Sequence, residues 1–383
     1  MVGWSHAGQH AYVAGLGIVI PYALGAFHTT YAVIGSLLAV AAIAGSALQA
    51  LAVVVRRAGA RLLLTIQNLG SVLGAGLGAL APNAYVFAAG RLVQAASGWP
   101  QHPVGSAFLA QRHPRRRGAI LSWHVTAGNV GTLVAPALTG AAIAAGGWRL
   151  GMWALAALLA TTALVTAVGI RAPWRRPVPP PSPTAAPRAS LGALLRQRPV
   201  WTLLVAGTIA AGGQGIGIIG LYAPAYLHDH VRASTIAVSV VLTILYVGAV
   251  VGPVLMGHLA DHTSHLGVLL ANYVLGAAAL LAFVLVGHDE LALGILAIAI
   301  GIFSYSELPL RQTVFADFVP AAQQRAGFGV FFTISQSIGA VWVAVIGICV
   351  TTIGFTAAFA VMAGTFLVGA LVVAAGVVAV QPH

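Results

Sequence analysis

Charge is the scarcest commodity in this sequence. Aspartate, glutamate, lysine and arginine make up 6% of its 383 residues, against roughly 25% in an ordinary soluble domain. Lysine is absent, so all eighteen basic residues are arginine. The six acids begin at Asp229, which leaves residues 1–228 without a carboxylate side chain. The single cysteine, Cys349, excludes an intrachain disulfide and any paired-cysteine metal or redox motif. No Gly-Lys-Ser/Thr follows glycine runs such as Gly74-Ala75-Gly76-Leu77-Gly78, so a phosphate loop and ATP drive are excluded. Those glycines suit helices that pack closely in lipid. No nucleophile–base spacing or carboxylate pair marks an enzyme, and no cofactor motif is present.

What the chain has in quantity is apolar sequence, 59% of its residues. A surface with so few charges cannot face water, so the solvent is lipid. The net charge of +12 does not indicate nucleic acid, because the arginines sit in short gaps between apolar runs rather than along one groove. Twelve runs are long enough to cross a bilayer, at about 9–27, 31–55, 62–81, 84–110, 119–144, 149–170, 199–227, 234–260, 266–287, 291–318, 327–350 and 354–380. Backbone amides in lipid must be bonded within their own segment, which makes each run a helix. The expectation is an all-α membrane protein of twelve transmembrane helices in two pseudo-symmetric six-helix bundles. No arginine precedes the first run, which is expected to be retained as a span rather than cleaved.

Residues 171–198 form the only long polar stretch, with six arginines and a proline-rich core that favours an extended, solvated spacer. The expected domains are 1–170, a linker 171–198, and 199–383. Fourteen arginines fall in the linker and the other gaps on its side of the membrane, against two, Arg149 and Arg232, on the opposite side. That bias places both termini and the linker in the cytoplasm, in the cytoplasmic (inner) membrane, where anionic lipid also attracts the arginines. The halves echo each other. Arg117 to Gly131 and Arg325 to Gly339 both run from arginine to glycine over the same spacing, 208 positions apart, and the loops near Arg56–Arg61 and Asp261–His265 repeat at about 205. Duplicated halves are a transporter architecture.

Charge inside lipid is costly and marks function. Arg91 lies about two turns inside the fourth span. Glu307 and Arg311 share one face of the tenth at i and i+4, with Pro309 between them and expected to kink or break the helix. Glu307 is the only carboxylate well inside a span, Asp317 standing at the span's end, and is the first candidate proton carrier; the bland alternative is a structural ion pair. His102, His124 and His10 are the alternative carriers, since imidazole titrates near neutral pH, or else hydrogen-bonded core residues. Gln94, Asn129, Gln214 and Gln336 are candidate cavity residues. His258, Asp261, His262 and His265 have metal-like spacing, but a helix-capping or pairing role for Asp261 is preferred, and no metal site is expected.

The chain resembles the major facilitator superfamily of secondary transporters along its whole length. Gly257-His258-Leu259-Ala260-Asp261 is similar to the family's loop motif, G-x-L-A-D-R-x-G-R. A degraded copy in the first half has Ala52 for the glycine and Arg56 for the aspartate, but keeps Arg57, Gly59 and Arg61. Arg91-Leu92-Val93-Gln94-Ala95 resembles the helix-four motif R-x-x-Q-G. Gly131, Pro136 and Gly140 resemble the antiporter motif of helix five, with Ala135 and Thr139 in place of glycines. His102-Pro103, Gly128-Asn129-Val130-Gly131 and His6 and His10 resemble the fosmidomycin-resistance-like, drug-antiporter branch, without the acid usually paired with the first-helix histidine. The resemblance implies alternating access, proton coupling through Arg91, and an inward gate of Gly257, Asp261, Arg57 and Arg61, which the repeated Arg117 and Arg325 join. It implies a monomer whose partners are protons, lipid and a small-molecule substrate, with no nucleic acid. An acid-free first half and two deep arginines favour an anionic or amphiphilic solute and proton-coupled efflux. Uptake of an organic anion, or a sensor or scaffold that moves nothing, are the alternatives.

Overall fold

The computed structural model describes residues 1–49, 51, 55, 58–113, 116–171, 196–319 and 324–377. Among them the regular elements are all helical. In chain order these are α1 (Val2–Phe27), α2 (Tyr31–Leu48), α3 (Ala60–Leu80), α4 (Ala84–Ser97), α5 (Ser106–Arg112), α6 (Arg117–Gly169), α7 (Arg198–Ala210), α8 (Gly220–Ala225), α9 (Thr235–His262), α10 (His265–Leu285), α11 (Glu290–Phe318) and α12 (Gln324–Gly376). A five-residue π-helical stretch, Gln101–Gly105, joins α4 to α5 as one crossing, and similar stretches, Gly215–Ile219 and Tyr226–His230, flank α8. The linker 172–195 and Arg57 lie outside the described residues, as do the side chains of Arg117, Arg325 and Gln336.

The duplication is legible in the backbone. Helices α6 and α12 are each 53 residues long, and each turns a corner at a glycine with positive φ, Gly147 at 78° and Gly354 at 81°. Only glycine adopts that conformation without strain. Each corner converts one helix into two crossings, and the two glycines stand 207 positions apart. Caps repeat as well. Asn83 and Asp289, 206 apart, each accept a hydrogen bond at 3.0 Å from the backbone amide three residues on, as N-cap residues do. Among the described residues nine helices are long and apolar enough to span a bilayer. The two corners and the interrupted α4–α5 crossing complete the expected twelve. Large apolar side chains such as Leu80, Val168, Val254, Leu285 and Leu291 are more exposed than buried, at 67–76%, a surface suited to acyl chains rather than water.

Two expectations need correction. Helix α1 begins at Val2, not near residue 9, so His6 lies inside it. Of the kink or break expected at Pro309, the break is absent, because helix α11 runs through that residue. Nearby hydroxyls bond backbone carbonyls, Ser306 to Ile302 at 2.6 Å and Thr313 to Pro309 at 3.0 Å, and serine and threonine side chains are among the devices that let a membrane helix tolerate proline.

The chain packs as two compact units. The first comprises Met1–Pro179 with Gly220–Thr243, the second Pro180–Ile219 with Ile244–His383. In the first, the Tyr22 hydroxyl meets Thr235 Oγ1 at 2.5 Å and Tyr31 donates to Asp229 at 2.6 Å. Helices α1 and α6 cross closely there: a Cβ at Gly131 would stand 1.9 Å from the Ala7 carbonyl oxygen, so only glycine fits.

Candidate functional site

In the first unit a network of neutral side chains fills the space between α1, α3 and the α4–α5 crossing. Ser5 Oγ lies 3.0 Å from Asn68 Oδ1 and 2.8 Å from Gln101 Oε1, with its one proton to share between them. Gln67 Nε2 donates to the same Gln101 oxygen at 2.6 Å, and Asn68 Nδ2 to Thr166 at 3.0 Å. Gln9 donates to Ser71 at 2.8 Å and accepts from Gln94 at 2.7 Å. Arg91 joins at this end, donating to Gln94 Oε1, with its guanidinium carbon 5.9 Å from the Tyr12 ring centre. The arginine meets an amide and an aromatic face, and residues 1–228 hold no carboxylate side chain to pair with it. Asn129 is half-buried on α6.

Beside that network the rings of His6, His10, His102 and His124 gather. His102 comes from the π-helical stretch, where Pro100 and Pro103 each lack an amide donor. His10 bonds Thr132 Oγ1 at 3.1 Å.

The second unit buries its charge differently. Glu307 and Arg311 are both fully buried, with Arg311 Nε 2.7 Å from Glu307 Oε1. Tyr273 donates to the same oxygen at 2.9 Å, and Gln214 Nε2 donates to the other. Arg311 Nη1 donates to Ser335 at 3.2 Å, its carbon sits 4.5 Å from the Phe331 ring centre, and its Nη2 has no partner among the described residues. The guanidinium passes over Gly207, where a Cβ would lie 2.1 Å from Cζ.

The loop-motif residues sit at helix ends. Asp261 Oδ1 lies 3.4 Å from His265 Nε2, and His265 Nδ1 lies 2.8 Å from Asp317. Gly257 lies in α9 one turn before Asp261. Arg61 Nε donates to the Ala167 carbonyl at 2.8 Å, near the end of α6, where the helix dipole favours a cation.

Sequence reasoning singled out Arg91, Gln94, Gln214, Glu307 and Arg311 but missed Ser5, Gln9, Gln67, Asn68, Gln101 and Tyr273. A signal for them existed. Gln67 bonds Gln101 and Tyr273 bonds Glu307, each pair 34 residues apart, and the second pair is the first shifted by 206 positions.

Comparison with known proteins fits this architecture. No curated protein matches the sequence. Several solved structures align over 98% of the chain, among them the following three. A point mutant of the nucleoside transporter NupG gives a TM-score of 0.78 at 14% identity, over 98% of its own length. The peptide transporter POT in complex with sulfate gives 0.76 at 14% over 92% of its length. A bacterial homologue of the human lysosomal transporter Spinster, inward-facing and unoccupied, gives 0.73 at 15% over 94%. At such identities the likeness shows the fold. The family follows from a model described as Major Facilitator Superfamily, which matches residues 6–343 and 207–383. With its duplicated helices and its buried polar clusters, the chain belongs to the Major Facilitator Superfamily, as a multi-pass membrane transporter and not an enzyme.

Proposed function

We propose that this transporter exports a small anionic or amphiphilic organic solute across the cytoplasmic membrane in exchange for protons, by alternating access, as a monomer with both termini in the cytoplasm. The observation that carries the proposal is the set of donors around Glu307, the one fully buried carboxylate among the described residues. Ionised, Glu307 accepts from Arg311, Tyr273 and Gln214, and the Arg311 charge is neutralised internally. A proton on Glu307 turns one acceptor oxygen into a donor. The pair loses its attraction, and the guanidinium, which already has one unpartnered nitrogen, becomes available to an anion. Proton and anion then favour each other at this site, the linkage expected of the alternative, proton-coupled uptake of an organic anion. Export in exchange for protons is favoured by the antiporter-type Gly131, Pro136 and Gly140 and requires that the solute leave as Glu307 takes its proton.

Arg91 supplies a second deep cation, and Gln94, Asn129, Gln214 and Gln336 are the proposed cavity residues of the two halves. His102, His124 and His10 are the alternative proton groups. Gly257, Asp261, Arg57, Arg61, Arg117 and Arg325 form the inward gate. The duplicated halves are 1–170 and 199–383, joined by the cytoplasmic linker 171–198. The arginine bias between gaps supports the orientation.

The test uses purified protein in proteoliposomes. Wild-type protein is expected to drive a labelled organic anion against its gradient when a pH difference is imposed. Glu307→Gln is expected to lose that drive while keeping counterflow of the labelled solute. Undiminished pH-driven flux in Glu307→Gln would remove Glu307 as the carrier. Uptake coupled to proton entry would reverse the direction.

A further inference from the structure

Four histidines of the first unit, three of which the transport reading keeps only as alternative proton groups, form an arrangement of their own. His6 is the hub. Its ring centre lies 4.2 Å from that of His124, 4.5 Å from that of His10 and 5.1 Å from that of His102. One ring nitrogen from each of His6, His102 and His124 lies within 4.8 Å of the others. These residues come from three elements, α1, the π-helical stretch and α6, at positions 6, 102 and 124.

The hydrogen bonding leaves lone pairs free. His6 Nδ1 donates to the His124 carbonyl at 2.8 Å, which puts the proton on Nδ1 and the lone pair on Nε2. Among the described residues, that Nε2 is buried without a partner, and so are both ring nitrogens of His124. A buried imidazole nitrogen that accepts nothing is costly, and an imidazole whose other N–H is held by a carbonyl is the usual arrangement of a metal ligand. His10 repeats the pattern, with Nδ1 on Thr132 at 3.1 Å. Room for the rings is made by Gly128, where a Cβ would stand 2.9 Å from His6 Cε1 and 3.2 Å from His10 Nε2. His6 and His124 are buried, whereas His102 is exposed, so the cluster has one open side.

We propose that His6, His102 and His124 form a binding site for a divalent first-row transition-metal cation, with His10 beside them and one coordination position open toward His102. The donor set names the class of ion. Three neutral imidazoles suit zinc, copper, nickel or cobalt, whereas magnesium and calcium require oxygen ligands. Residues 1–228 offer no carboxylate. Metal–imidazole bonds of about 2.0–2.1 Å put ligand nitrogens roughly 3.4 Å apart, so the rings draw together on binding. A three-histidine site with an open position is a known zinc arrangement. The proposal is independent of whether Glu307 carries the proton.

The experiment takes the full chain without a polyhistidine tag, purified in detergent and stripped with a chelator. Co2+ is added, and visible absorption and calorimetry report binding; Zn2+ is then used to displace it. One ion per chain is expected, with the absorption of a four-coordinate cobalt–nitrogen site. His6→Ala, His102→Ala and His124→Ala are each expected to weaken binding more than about 100-fold, beyond the 10–100-fold that loss of an outer-shell partner costs. The loop variant His258→Ala/His262→Ala is expected to bind as wild type. Because His6 and His124 are buried and their variants can misfold, the exposed His102→Gln serves as the second variant and is expected to lose the cobalt absorption while keeping wild-type elution in size exclusion. Stoichiometric binding that survives in His102→Gln overturns the assignment. So does wild-type protein that takes up neither ion below millimolar concentration, which would leave the four rings as a proton path.

Discussion

Both halves of the chain hold an arginine inside a span, and they accommodate it by different means: Arg91 is part-buried on an amide and an aromatic face, whereas Arg311 is fully buried against a carboxylate. The contrast is sharpest at two pentapeptides, Gln101-His102-Pro103-Val104-Gly105 and Glu307-Leu308-Pro309-Leu310-Arg311, 206 positions apart. The proline is common to both. So is the cross-helix partner 34 residues earlier, Gln67 for the first and Tyr273 for the second. The chemistry has diverged. The first half joins two amides and leaves a glycine where the second half places the Arg311 guanidinium. The backbone differs accordingly. Pro100 and Pro103 remove two donors close together, and the crossing relaxes into π geometry, with Gly105 N bonding the Pro100 carbonyl at 3.3 Å. In the second half the Glu307–Arg311 pair at i and i+4 spans one turn and favours the α register. A duplicated scaffold has thus kept its joints and redistributed its charge: one half carries an ion pair, the other a neutral network beside a group of imidazoles.

Substitutions can break that contrast. The largest effect is expected at Glu307. Glu307→Ala leaves Arg311 buried without its counter-ion and is expected to cost about 3–5 kcal/mol. Gln101→Ala removes only a neutral partner and is expected to cost about 1–3 kcal/mol. Unfolding in detergent, followed by intrinsic tryptophan fluorescence, measures both, and equal losses would contradict the division into charged and neutral halves. Gly207→Ala comes next, at about 1–3 kcal/mol, because its Cβ would overlap Arg311. The cost should shrink in an Arg311→Met background; an unchanged cost would show that the glycine serves something other than the guanidinium. Smallest is Asp317→Asn, which removes a partially exposed partner of His265 and is expected to cost about 0.2–1 kcal/mol, a difference that fades in high salt.

The helices were largely legible because lipid imposes a local rule. A run of about 20 apolar residues must be a helix wherever it stands. The boundaries that failed did so for identifiable reasons. Helix α1 extends back to Val2 through Ser5, His6 and Gln9, polar residues that look like an end to the apolar run but bond to other helices. Proline removes a donor and allows either a kink or a break; the hydroxyls of Ser306 and Thr313, which help the helix continue at Pro309, carry no strong signal in a single sequence. Arg91 and Glu307 stood out as rare charges in apolar surroundings. Gln67, Asn68 and Gln101 did not, since an amide in a membrane helix is unexceptional until its partner is known.

What the sequence determined by itself was the solvent, the secondary structure and the duplication, because hydropathy, helix length and repeat spacing are properties of short stretches or of their comparison. Only the tertiary structure decided which polar groups meet. His6 and His124 are 118 residues apart, and nothing in their neighbourhoods says that their rings stack. Their meeting depends on the rotation of α1 about its axis and on its close crossing of α6 at Gly131. Both are fixed by packing many side chains at once, an interaction that acts between helices rather than along one.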